Sequence, residues 1–292
     1  MTYGLNIFVR SMSVATTGGS GKGFAYGNSW QYNPRSDRHS KILCWAIFFD
    51  LLVRENLIAS HIRSEKISFG INHTMCDFRH NRKKDLDLVI CRRAATPTTL
   101  AQVQDFHSMV SAYSIVLTPG EQELLAQLPQ IPLTTVQTAL VAIEAKAAMT
   151  ELGKAQPRIY DELNSSHATI HGDTDSAIAA GFAIVNLANN FVSPTRNPWN
   201  IHDGLNPPVI NPHKQPKDAE GMMKKIAQLP RRSSTGSPGF DALGLALVNC
   251  ANDGTPVTLV RSPPAPQPGD LFYYDNFIER IETIYSSRFG AL

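Results

Sequence analysis

The sequence feature that most constrains the fold is an apolar run, residues 139–149, with two charged side chains inside it. Its short aliphatic residues are typical of a buried β-strand. Because side chains alternate across a strand, Glu144 and Lys146 point to one face while Ile143 and Ala145 point to the other. A charge in such a run is costly without a partner, so we expect these two residues to belong to a polar site.

A second strand-like run with charges lies upstream, at residues 83–91. Asp87 stands directly before its apolar part, Leu-Val-Ile at positions 88–90, whereas Asp85 lies two residues earlier on the same face. Asp87 is therefore the better candidate for a site residue. A divalent cation that bridges Asp87 and Glu144, with Lys146 beside it, would supply the partners that these charges require.

The composition of the 292-residue chain is that of a globular protein, with 42% hydrophobic and 18% charged residues. No apolar run reaches the roughly 18 residues of a membrane-spanning helix, and Asp50 interrupts the longest candidate, residues 42–53. The first residues lack an apolar signal core, so we expect a cytoplasmic protein without membrane association. The four cysteines form no CxxC pair, which argues against a zinc site and a disulfide framework.

Basic residues are about twice as numerous as acidic ones in the first hundred positions, which suits a polyanionic partner. Arg35 and Arg38 alternate with aromatic residues and are candidates for nucleic-acid contacts; a flap packed on the domain is the alternative. A second basic group precedes the Asp87 strand and would form either a phosphate-facing rim or a solvated hairpin loop. Its candidate nucleic-acid-binding members are Arg79, Arg82, Lys83 and Lys84.

The pattern along the chain predicts a flexible segment at residues 1–36 and a single domain at residues 37–292. The domain begins with a largely buried helix, capped by Asp37 or Ser40, that runs to about residue 56. Insertions are expected at residues 94–138 and at the proline-rich residues 193–238. A helix from about residue 154 and a buried strand at residues 181–188 follow the Glu144 strand. A hairpin at residues 240–260 and a helix at residues 271–289 come last.

The order helix, strand with Asp87, strand with Glu144-Ala145-Lys146, helix, strand resembles the PD-(D/E)XK nuclease superfamily. The resemblance implies an α/β, restriction-endonuclease-like fold: a mixed central sheet flanked by helices, with inserted loops and a C-terminal hairpin plus helix. It also implies that Asp87, Glu144 and the carbonyl of Ala145 bind Mg²⁺, with Mn²⁺ as a substitute. Asp87, Glu144 and Lys146 would be the catalytic residues, with Lys146 positioning or activating the attacking water.

Gln156 and Tyr160 extend the resemblance. They match the Gln-x-x-x-Tyr motif that follows the lysine in the RecB-like and exonuclease-like branches, and this match implies an accessory role. Because Pro157 is tolerated only in the first turn of a helix, we expect Gln156 to lie close to the helix start. The family often adds a glutamate from the first helix, but no residue of that helix could be assigned to this position.

The implied function is that of a metal-dependent phosphodiesterase, an endonuclease of restriction or antiphage-defence type that cleaves DNA. The resemblance further implies a homo-oligomer and an activating ligand or partner protein, and RNA is an alternative substrate. Two other hypotheses involve no catalysis. One is a module that keeps the fold and binds nucleic acid through the basic first third, and the other is an interaction protein that uses the proline-rich segments.

Overall fold

The computed structural model describes residues 2–17, 26–78, 80–94, 98–100 and 102–292. The helices are α1 (Gly4–Ser13), α2 (Arg38–Val53), α3 (Leu57–Arg63), α4 (Ser108–Ala112), α5 (Pro119–Ala126), α6 (Leu152–Asp173), α7 (Lys217–Ile226) and α8 (Tyr274–Phe289). The strands are β1 (Ile67–Asp77), β2 (Arg82–Arg92), β3 (Ala139–Ala148), β4 (Ile178–Asn186), β5 (Asn190–Val192), β6 (Ile210–Pro212), β7 (Ala242–Asn249) and β8 (Thr258–Val260). Among these described helices, none is both long enough and apolar enough to cross a membrane.

Six strands form one mixed sheet in the order β1-β2-β3-β4-β7-β8. The neighbours β1, β2 and β3 are antiparallel, β3, β4 and β7 run parallel, and β8 is antiparallel to β7. β5 and β6 form a separate two-stranded ladder. Parallel neighbours need a long crossover, and α6 provides it between β3 and β4. The hairpin of β7 and β8 and the helix α8 follow in the predicted order.

Helices cover both faces of this sheet. On one face α1, α2 and α8 pack against inward side chains such as Ile143 and Phe182. On the other face α6 and α7 pack against side chains such as Ala142 and Val185. Burial on both faces explains why β4 and β7 are almost continuously apolar. The prediction of an α/β protein with a mixed central sheet flanked by helices is confirmed.

The position of α2 is fixed by aromatic packing. Its residues are buried along almost the whole helix. The Trp45 ring stacks on Phe106 with centroids 4.7 Å apart, and the indole N–H donates to the Phe106 carbonyl at 2.9 Å. Phe106 belongs to the segment between β2 and β3, so this insertion is anchored on α2. The anchoring holds the first turn of α2 close to the sheet.

The expectation of a flexible segment at residues 1–36 is wrong for residues 4–13, which form α1, and residues 18–25 of this segment lie outside the described residues. Ile7, Phe8 and Met12 of this helix are buried in the core beside α2. The many glycine, serine and threonine residues that suggested flexibility come mainly after α1, at residues 14–36. These residues dominate the composition of the whole segment, so the composition does not indicate a ten-residue amphipathic helix such as α1.

The two insertions carry short elements of their own. The insertion at residues 94–138 contains α4 and α5, and its residues 95–97 and 101 lie outside the described residues. α5 begins with a capping box in which Thr118 and Glu121 bond each other's backbone N–H groups. The insertion at residues 193–238 contains β6 and α7.

Asp50 of α2 holds the start of α1. Its carboxylate accepts the backbone N–H groups of Tyr3 at 2.7 Å and Gly4 at 2.9 Å, and the Tyr274 hydroxyl of α8 at 2.8 Å. Burial outweighs these hydrogen bonds and raises the pKa of Asp50 to about 6. The folded protein therefore binds a proton at this residue between about pH 4 and pH 6, where the unfolded chain has lost it.

Asp50 is therefore expected to lower the free energy of unfolding as the pH rises from about 4 to about 6. A shift of this size corresponds to at most about 3 kcal/mol, because the folded state must give up a proton that it binds more tightly. Urea denaturation of the wild type and of Asp50→Asn across this range measures the difference. Exposed Asp161→Asn is the control. The prediction would be contradicted if the free energy of unfolding changed with pH in the same way for the wild type and for Asp50→Asn.

Candidate active site

Asp87 and Glu144 are neighbours across the β2–β3 ladder. The ladder pairs Leu88 with Ile143, so the next position along it brings Asp87 beside Glu144. Oδ2 of Asp87 accepts the backbone N–H of Ala145 at 3.0 Å. The N–H and C=O groups of a strand residue face the same neighbouring strand, so the Ala145 carbonyl also lies on the Asp87 side. The three groups expected to bind a cation therefore converge at one point of the sheet.

The Glu144 side chain is 1% exposed and lies among lysines. Its Oε1 is 2.7 Å from Nζ of Lys146, as strand alternation predicts, and 3.7 Å from Nζ of Lys84. Its Oε2 is buried and has no hydrogen-bond partner among the described residues. Burial, reinforced by the charge of Asp87, raises the pKa of Glu144. Burial alone would lower the pKa of Lys146, but Glu144 outweighs this effect and raises it, so the ammonium stays charged.

The first turn of α2 binds the other carboxylate. Oδ1 of Asp87 is 2.7 Å from Nζ of Lys41 and accepts the hydroxyl of Ser40 at 2.7 Å. The Lys41 side chain is 1% exposed. Burial alone would raise the pKa of Asp87, but the Lys41 ammonium holds it below its usual value. Sequence reasoning missed this contact, although a lysine at the start of a buried, apolar helix was a signal for it.

α6 adds a third carboxylate that the sequence did not reveal. Oε2 of Glu162 is 3.9 Å from Nζ of Lys146, and its Oε1 is 2.9 Å from Nη1 of Arg158. The backbone carbonyl of Glu162 accepts from Nζ of Lys84 at 2.6 Å. We call this group the lysine–carboxylate cluster. It consists of Lys41, Lys84, Asp87, Glu144, Lys146 and Glu162.

The proposed accessory residues Gln156 and Tyr160 lie on α6 but face α7. A Cβ added to Gly221 of α7 would come within 2.9 Å of Nε2 of Gln156, and Nζ of Lys225 lies 4.3 Å from the centre of the Tyr160 ring. No hydrogen bond or ion pair of the described residues joins either side chain to the lysine–carboxylate cluster. Pro157 lies inside α6, which begins earlier than expected, so Gln156 is not at the helix start.

The expectation that Arg38 contacts nucleic acid is wrong, because its guanidinium is buried and bound to backbone carbonyls. Burial lowers the pKa of Arg38 to about 10. The contacts tie the chain after α1 to the end of α4 and leave no group of the side chain for a partner in solution. The accepting carbonyls are those of Ser11, Val14, Tyr113 and Ser114.

The other basic candidates have different surroundings. Arg35 is exposed before α2, and Arg82 and Lys83 are exposed at the start of β2, so their contact with nucleic acid stays a prediction. Lys84 turns inward to the lysine–carboxylate cluster, where burial lowers its pKa. Arg79 lies outside the described residues.

The donor set near Asp87 fits a hard divalent cation. Mg²⁺ is commonly held by one or two carboxylates, with water and substrate phosphate completing its shell. Asp87, Glu144 and the Ala145 carbonyl supply such oxygens, and Oε2 of Glu144 is an unpartnered one. In the part of the chain that the structure describes, no three or more His, Cys, Asp or Glu side chains are arranged to hold a metal. A cation here would therefore depend on water and substrate for much of its shell.

A cavity of about 290 Å³ opens beside the cluster, at the end of β3 that follows Lys146. Tyr32 and Phe191 contribute to its walls, and Lys154 and Arg158 of α6 place cations at its edge. Both cations have carboxylate partners, since Lys154 lies 3.5 Å from Glu151 and Arg158 lies 2.9 Å from Glu162. Ala147, the neighbour of Lys146 in β3, lines this cavity.

Comparisons with protein-family models, with curated proteins and with solved structures found no match.

Proposed function

We propose that this protein is a metal-dependent deoxyribonuclease of PD-(D/E)XK type with a restriction-endonuclease-like fold. The proposal is carried by one observation: Asp87, the Ala145 backbone and the Glu144–Lys146 pair meet at one point of the β2–β3 ladder. The element order supports it, because a helix precedes the Asp87 and Glu144 strands and a helix and a parallel strand follow them.

The metal would be Mg²⁺, or Mn²⁺ in its place, held by Asp87, Glu144 and the Ala145 carbonyl. When bound, such a cation lowers the pKa of a coordinated water and stabilises negative charge on a phosphate during in-line displacement. The protein's own contribution is to fix the two carboxylates. Lys41 and the Ala145 N–H orient Asp87, and Lys146 orients Glu144.

Lys146 would act through its charge. Because Glu144 raises the pKa of Lys146, the side chain is an ammonium at neutral pH and has no free electron pair to accept a proton from water. It would instead stabilise the negative charge that develops on the phosphate. With a quarter of its side chain exposed, Lys146 is accessible to a substrate from solvent.

The substrate of the proposed enzyme is DNA, cleaved internally. Arg35, Arg82 and Lys83 are exposed and would contact its phosphate backbone. Restriction or phage defence in the cytoplasm, as a homo-oligomer under the control of an activating ligand or partner protein, is the setting that the family resemblance favours.

A second candidate function is a module that binds nucleic acid without cleaving it. The balance of charge in the lysine–carboxylate cluster favours this alternative, since three lysines already face three carboxylates. A buried cluster that is neutralised by its own side chains can be stable without a cation.

Lys146→Met is expected to reduce Mg²⁺-dependent cleavage of plasmid DNA by about 10²- to 10³-fold, because it removes the ammonium that faces the phosphate. Cleavage is measured on gels with Mg²⁺, with Mn²⁺ and with EDTA, and an RNA substrate is tested in parallel. Lys224→Met, at an exposed lysine of α7, is the matched control and should cleave like the wild type.

The same assay separates the alternatives. DNA binding without cleavage by the wild type, with either cation, would support the binding module and overturn the nuclease. If the wild type neither binds nor cleaves DNA or RNA, even with candidate activators, the remaining hypothesis is an interaction protein. Equal cleavage by Lys146→Met and the wild type would overturn the role of Lys146.

A further inference from the structure

We infer that Lys41 is an internal cation that positions Asp87 and limits the site to one divalent metal ion per chain. The inference rests on the proposed function, because it concerns the same site. Lys41 is a positioning residue here: with a side chain that is 1% exposed, it cannot reach DNA.

The α2 side of Asp87 is already occupied by hydrogen-bond donors. Oδ1 accepts Nζ of Lys41 and the hydroxyl of Ser40, each at 2.7 Å. Two metal ions that share a carboxylate in a phosphodiesterase lie about 3.5–4 Å apart. A second cation on Oδ1 would therefore have to replace the Lys41 ammonium or lie next to it.

The Lys41 ammonium cannot easily leave this position. Its side chain is buried, and an ammonium away from water needs an anionic partner. Asp87 is that partner, and its Oδ1 lies 2.7 Å from Nζ of Lys41. A divalent cation on the α2 side of Asp87 would face this charge at close range in a poorly hydrated site.

The opposite side of the carboxylates leaves room for one ion. Oδ2 of Asp87 accepts only the Ala145 N–H among the described contacts, and Oε2 of Glu144 has no partner there. Glu162 could have supplied a second ion with a carboxylate, but its oxygens face Arg158 and Lys146. The free oxygens thus define a single position, bounded by Asp87, Ala145 and Glu144.

Manganese binding to the metal-free protein, without DNA, tests this inference. Calorimetric titration of the wild type with Mn²⁺ should give one ion per chain, and its electron paramagnetic resonance spectrum should lack the coupling of a two-ion centre. Lys41→Met removes the competing charge and should raise the number of bound ions from one to two. Lys224→Met, at an exposed lysine of α7, should still bind one.

Two Mn²⁺ ions bound by the wild type would overturn the inference and leave the proposed nuclease intact. A folded Lys41→Met protein that binds one ion would overturn it as well. No Mn²⁺ bound by the wild type would overturn the proposed function and this inference together. If Lys41→Met does not fold, the wild-type stoichiometry and spectrum decide the question.

Discussion

Glu144→Gln is expected to reduce DNA cleavage by about 10²- to 10³-fold while leaving the free energy of unfolding unchanged or higher. The substitution removes the only negative charge that has an unpartnered oxygen in the described part of the site. It also removes a buried charge whose raised pKa shows that the folded state disfavours it. Function and stability therefore oppose each other at this residue, as is common where a site must hold a ligand.

Three measurements on Glu144→Gln check this expectation: plasmid cleavage with Mg²⁺, Mn²⁺ titration, and urea denaturation. Glu123→Gln, at an exposed glutamate of α5, is the matched control and should change none of them. A cleavage rate within threefold of the wild type would exclude Glu144 from the chemistry. Loss of cleavage together with a large loss of stability would show that the carboxylate is needed for the fold instead.

Arg232→Met is expected to lower the free energy of unfolding by about 3–5 kcal/mol, the largest stability effect that we expect of a single substitution here. Its guanidinium is fully buried next to the residues that precede β4 and β7. Nε and Nη1 lie 3.0 Å from carboxylate oxygens of Asp241 and Asp175, and Nη2 donates to the carbonyls of Asp175 and Ala177. Methionine fills the volume but removes the donors of all four of these contacts.

Denaturation with urea at neutral pH measures the effect of Arg232→Met. The neighbouring Arg231 is exposed and lies 5.3 Å from the centre of the Phe272 ring, so Arg231→Met is a suitable control with a loss of about 1 kcal/mol or less. If the two substitutions lower the free energy of unfolding equally, the buried guanidinium of Arg232 contributes no more to stability than the exposed one of Arg231. Arg288 also reaches Asp241, so that carboxylate keeps one partner in Arg232→Met.

The central residues of the site could be predicted because they lie on strands. Glu144 and Lys146 are two positions apart in an apolar run, and this spacing alone fixes their common face. The pairing of Asp87 with Glu144 is different, since it joins strands separated by an insertion. It followed from a family resemblance and not from a local pattern, and the ladder register agrees with it.

Contacts that come from other elements could not be predicted in the same way. Lys41 and Glu162 occupy helices, where a charged residue normally faces water, and only the packing of α2 and α6 turns them toward the sheet. Arg38 looked like a surface cation beside aromatic residues, but its carbonyl partners lie as far as 76 residues away. The spacing of Gln156 and Tyr160 in the accessory motif places both side chains on one face of α6. This spacing does not predict which element of the fold packs against that face.

The capping of α1 has a consequence for the order in which the protein is made. Thr2 donates to Asp275, 273 residues later, and Tyr274 bonds the same carboxylate as the start of α1. At translation rates of about 5–20 residues per second, roughly 15 to 55 seconds pass between the synthesis of α1 and that of α8. During that interval Tyr274 and Asp275 cannot hold the start of α1, and the nascent chain cannot complete the core around α2.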